Sequence, residues 1–111
     1  MARIVGGVQA VVTLPNFLTF AAQVITVAAA GTPVQLPSVI IPEGASIFVR
    51  ARVENGNKRI FLADTSLNTG VATSRLTLRA GEGIEMRVQN ANAIWIDANN
   101  NGAQVELFVE Q

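Results

Sequence analysis

From Gln23 onward, apolar and polar residues alternate in short runs separated by turn-forming residues. In 46–54 one side carries Ile47, Val49, Ala51 and Val53, and the other Phe48, Arg50, Arg52 and Glu54. The same period of two sets Ile60 and Leu62 against Arg59 and Phe61, and Ile94 and Ile96 against Trp95 and Asp97. It also sets Val105, Leu107 and Val109 against Gln104, Glu106, Phe108 and Glu110. Period two is the signature of a half-buried strand. The pattern predicts strands over 22–29, 33–37, 46–54, 58–63, 75–79, 83–89, 93–98 and 103–110. Val24-Ile25-Thr26-Val27 favours strand over the helix that the flanking alanines would allow.

The punctuation between these runs has a local cause. Gly31-Thr32-Pro33 and Pro42-Glu43-Gly44 combine a fixed φ with a permissive glycine. Asn55-Gly56 reads as a hairpin turn, because both residues tolerate positive φ. Gly81-Glu82-Gly83 and Asn99-Asn100-Asn101-Gly102 close two further turns. Eight short strands without an amphipathic helix predict an all-β fold, a single antiparallel β-sandwich of jelly-roll-like character. Residues 1–20 form an extended arm before a sandwich domain over 21–111. The arm has one glycine pair, Pro15 and no clean period, yet Ile4, Val5, Val8, Val11, Val12, Leu14, Phe17, Leu18 and Phe20 are too apolar for a solvated tail.

Parity fixes which side of each strand is core. The aliphatic side is buried, since the other would bury a row of charges. That places Phe48, Phe61, Trp95 and Phe108 outside the core, on the side of the charged residues. Outward aromatics beside arginine are the composition of interface centres. The candidate interface is therefore Phe48, Arg50, Arg52, Phe61, Trp95 and Phe108, joined by Phe17 and Phe20 of the arm. Within one chain, Phe17 and Phe20 could instead fold back over these rings.

Composition narrows the function. Of 111 residues, 50% are hydrophobic and only 14% charged, with eight acids balancing eight bases. Low charge favours concealment of surface by self-association, and a balanced total gives no pull toward nucleic acid or a membrane surface. Seven of the eight bases are arginine, the more interface-prone cation. There is no cysteine, histidine or tyrosine. This removes disulfides, thiolate metal sites and the commonest general base. Glu82 and Glu85 flank a turn and Glu106 and Glu110 alternate along an outer strand face, whereas glycoside hydrolysis needs two carboxylates facing across a cleft, which a small sandwich rarely supplies. The N-terminus lacks the uninterrupted apolar stretch of a secretory signal, so synthesis in a cytoplasm is expected. No enzyme, cofactor or metal is expected.

Asp97-Ala98-Asn99-Asn100-Asn101-Gly102 matches the first half of a calcium loop, but Phe108 stands where such a loop needs glutamate. A polar hairpin turn is the expected reading. Gly81-Glu82-Gly83 is no phosphate cradle, because neither a lysine nor a helix follows.

The stretch from Ile47 to Val109 resembles small virion proteins of tailed bacteriophages, of the capsid decoration and minor structural kind. The resemblance lies in an order of strands and turns: Val49-Arg50-Ala51-Arg52-Val53, Asn55-Gly56-Asn57 and Ile60-Phe61-Leu62-Ala63, then Leu78-Arg79-Ala80-Gly81-Glu82-Gly83-Ile84, Ala93-Ile94-Trp95-Ile96-Asp97-Ala98 and Asn101-Gly102-Ala103-Gln104-Val105. Ala63, where such proteins often have glycine, and the long apolar arm depart from it. The resemblance implies a place on the capsid surface, a trimeric habit, and the major capsid protein or other virion proteins as partners. A head–tail or tail component is a further reading. From a different class comes a glycan- or receptor-binding sandwich using Trp95 and Phe61 as stacking platforms.

Overall fold

The structure, a computed structural model, describes residues 20–110; most of the arm, including Phe17, lies outside them. Eight strands follow in order: β1 (Phe20–Val27), β2 (Val34–Gln35), β3 (Ile47–Ala51), β4 (Ile60–Ala63), β5 (Leu76–Leu78), β6 (Gly83–Met86), β7 (Trp95–Ala98) and β8 (Ala103–Glu110). They form two antiparallel four-stranded sheets, ordered β1-β8-β3-β6 and β2-β7-β4-β5. Only β4 and β5 are consecutive neighbours in one sheet; every other connection crosses between sheets. This double Greek key is the jelly roll.

Each predicted strand is present, with altered ends. β1 begins two residues early, at Phe20 opposite Glu110, and ends before the alanine run, which enters a turn. β2 shrinks to two residues. β3 stops at Ala51, and a 3-10 turn over Val53–Asn55 breaks the parity expected through Glu54. Val53, placed on the core side by alternation, is consequently 64% exposed. β6 stops at Met86, and a 3-10 turn over Ala91–Ala93 delays β7.

Ile47, Val49, Ala51, Val105, Leu107 and Val109 of one sheet meet Ile60, Leu62, Leu78, Ile96 and Ala98 of the other in a buried core. Fully burying aliphatic side chains of this size contributes roughly 1.5–3 kcal/mol each. The inward side of β1 is less covered, running from buried Val27 through half-buried Ile25 to exposed Gln23. A facing edge strand of two residues is too short to cover the rest.

Asn55-Gly56 is not the hairpin that its residues suggested, since β3 and β4 lie in different sheets. Gly56 takes φ +61°, which favours glycine, while Asn55 works through its side chain. Its Nδ2 donates to the Gln104 carbonyl at 2.8 Å, and its Oδ1 accepts from the Gln104 N–H at 2.9 Å. The buried amide thus imitates one step of a strand ladder against β8. Asn55→Ala is expected to lower stability by about 2–3 kcal/mol, because it leaves a Gln104 N–H unpartnered. Urea unfolding should show a lower midpoint at unchanged slope.

Candidate interaction surface

The four outward aromatics divide between opposite faces of the sandwich. On the outer face of the β1-β8-β3-β6 sheet, Ala22, Phe108, Phe48 and Glu85 form one row across the strands. Val24, Glu106, Arg50 and Gly83 form the next. The Phe48 and Phe108 ring centroids lie 6.5 Å apart with planes tilted by 33°. A Cβ on Gly83 would collide with Phe48 Cζ, so the Phe48 ring lies over that glycine. Covering a strand glycine with a cross-strand aromatic compensates for its missing side chain. Even so, Phe48 is 38% and Phe108 36% exposed. Val24 beside them is exposed as well.

Below this apolar half sits a bonded polar half. Glu106 Oε1 accepts from Arg50 Nε at 3.0 Å and Nη2 at 2.7 Å, while its Oε2 accepts from Arg52 Nε at 3.1 Å. Arg52 also reaches Gln104 Oε1 at 3.3 Å and Glu54 at 3.5 Å, and Gln104 Nε2 donates to Thr26 Oγ1 at 2.9 Å. Two arginines and two glutamates thus balance. A partner covering this polar half would strand no lone charge, the usual source of a large desolvation cost.

Phe61 and Trp95 point outward from the other sheet, where both are half-buried. The Arg75 guanidinium lies 3.6 Å from the Phe61 ring centroid and donates from Nη1 to the Thr69 carbonyl at 3.0 Å. The 3-10 turn Asn68–Gly70, with Thr69 buried, rests against β4 and β7. One side of the Phe61 ring is therefore already taken by the chain's own 64–75 connection. The structure brings Phe48, Arg50, Arg52 and Phe108 together and sets Phe61 and Trp95 apart from them.

The 97–102 turn turns its oxygens inward. Asp97 Oδ1 accepts from the Gly31 N–H at 3.0 Å and the Ala98 N–H at 2.8 Å. Asn99 Oδ1 accepts from the Arg59 N–H at 2.7 Å, and Asn101 Oδ1 from the Ala30 N–H at 2.8 Å. Side chains that could have ringed a cation instead tie the β1–β2 loop and the start of β4 to this turn. Asp97, expected outside with Trp95, is 6% exposed because the Gly31 loop covers it.

The sandwich opens between its β5 and β6 edges into a cleft of about 540 Å³, lined mainly by Leu62, Leu76, Met86, Val88 and Ile94. Its carboxylate, Asp64, accepts from Asn68 Nδ2 at 2.8 Å; no second acid or base lines the cleft. Among the described residues, no group of three acidic, histidine or cysteine side chains could hold a metal, and no helix is long and apolar enough to cross a membrane. Sequence reasoning missed Gly83 as the floor beneath Phe48. A glycine opening a strand was the available signal.

No family model matches the chain, and no curated protein does. Among solved structures, it is similar to a Bacillus halodurans protein at 10% identity and a TM-score of 0.41, covering 83% of this chain and 63% of that one. It is also similar to a protein of Bacillus endospore appendages, described as disulfide-linked pili, at 15% identity and a TM-score of 0.37. That match covers 83% of this chain and 87% of the other. The present chain has no cysteine.

Proposed function

We propose that this protein is a non-catalytic structural subunit that packs against copies of itself and a larger particle, in the manner of a phage capsid decoration or minor virion protein. The observation that supports it is the outer face of the β1-β8-β3-β6 sheet. There an exposed aromatic pair adjoins a charge-balanced, internally bonded polar half. Jelly rolls serve both capsids and lectins, so topology alone does not choose between them. A sugar platform needs an open ring, and Arg75 occupies one side of Phe61. The virion setting and the trimeric unit rest on the sequence resemblance.

The exposed part of the two phenylalanines amounts to roughly 150 Å², against about 800 Å² per partner in a stable interface. They are the centre of a contact, with Ala22, Val24, Thr26 and Gln104 around it. Light scattering at high salt tests this directly. The expected result is a compact oligomer, a trimer, and a strictly monomeric mass contradicts it.

A further inference from the structure

The two ends of the sandwich carry opposite, unsatisfied charge. At one end, Lys58, Arg59 and Arg79 line a polar cleft of about 280 Å³ with Gly56 and Asn57, and no carboxylate lines it. Among the described residues, none of these three cationic side chains makes an ion pair or hydrogen bond; the arginines in ion pairs are Arg50 and Arg52. At the other end, Glu85 and Glu110 converge on buried Ser46. Its Oγ donates to Glu85 Oε2 at 2.6 Å, and its N–H donates to Glu110 Oε1 at 3.2 Å. Neither glutamate has a cationic partner among the described residues. Glu43 lies in the adjoining turn, across an open cleft from Arg87. Three carboxylates less one arginine leave −2 at this end. Three cations less Glu82, which accepts from the Arg79 N–H, and less Asp97 of the 97–102 turn leave +1 at the other.

The chain cannot satisfy one end with the other. The eight residues of β8 run from Ala103 at the basic end to Glu110 at the acidic end, about 25 Å at 3.3 Å per residue. That is beyond the screening distance of about 8 Å at physiological salt. Within each end, like charges repel until something opposite covers them. A two-fold end-to-end contact would set like on like, so the complement must be heterologous.

We infer that copies of this chain stack head to tail, the Lys58, Arg59 and Arg79 end of one on the Glu85, Glu110 and Glu43 end of the next. The inference rests on the assembly reading above and adds a polar axis to whatever unit the sheet face forms. Being ionic and exposed, the contact belongs to low salt, whereas the aromatic face does not. Sedimentation velocity from about 0.02 to about 0.5 M salt separates them, since the screening length shrinks severalfold across that range. The wild-type mass is expected to fall with salt to a constant unit, the end-to-end association constant dropping about tenfold or more.

Lys58→Glu with Arg79→Glu should hold that unit mass at every ionic strength, as should Glu85→Lys with Glu110→Lys. Mixing the two variants should restore the low-salt association, because each supplies the charge that the other lacks. The Lys58 and Arg79 side chains bond to nothing among the described residues, so this pair is decisive even if the glutamate variant misfolds. A salt-independent wild-type mass overturns the inference, as does wild-type association by the Lys58/Arg79 variant. So does a mixture of two folded variants that fails to associate. In those cases, particle binding that survives high salt would leave the assembly reading standing.

Discussion

Asp97→Ala is expected to destabilise the fold by about 3 kcal/mol, because truncation leaves two N–H groups without their acceptor. Asp97 Oδ1 is shared by the N–H of Gly31, in the distant β1–β2 loop, and that of its neighbour Ala98 in β7. Asp97 and Ala98 are buried beneath the β1–β2 loop, where water replaces a lost acceptor poorly. Thermal unfolding should move down by about 12–15 °C for a domain of this size. Asp97→Asn keeps an oxygen in place and should cost about 1 kcal/mol, the difference being the charge-assisted part of the bonds. If Asp97→Ala melted within a degree or two of wild type, the turn would not be the clasp that its geometry describes.

The second large effect concerns assembly rather than folding. Phe48→Ala and Phe108→Ala each remove a ring from the outer face of the β1-β8-β3-β6 sheet. Central aromatics of interfaces commonly contribute 2 kcal/mol or more, which is about 30-fold in a dissociation constant. The folding cost should be smaller, about 1 kcal/mol, because both residues are exposed already. Phe61→Ala makes the contrast, since its ring lies on the opposite face of the sandwich with Arg75 over one side of it. Its expected effect is on the anchoring of the 64–75 connection and not on association. Light scattering and urea unfolding on the same samples separate these outcomes. Equal loss of association from Phe48→Ala and Phe61→Ala would remove the preference for one face.

The sandwich was legible because alternation is a property of single strands. Ile47, Val49, Leu107 and Val109 declare their side without reference to partners, and all four are buried. What alternation does not carry is which strand lies beside which. Asn55-Gly56 therefore read as a hairpin, although its glycine turns the chain between sheets and its asparagine binds β8. Val53 and Asp97 departed from parity for a related reason. A 3-10 turn ended one strand, and a loop from elsewhere in the chain covered the other. The aromatics were correctly drawn outward, but one dimension of sequence does not say that two of them face one way and two the other. The charged ends were less visible still, since Ser46, Glu85 and Glu110 meet only through the register of β3, β6 and β8.

The most direct test of an assembly role is to image purified particles made with and without this protein. A structural subunit should appear as added jelly-roll density on the particle surface, seated through the sheet face that carries Phe48 and Phe108. Particles made with the protein that show no such density, and that carry none of the chain, would contradict the assembly role.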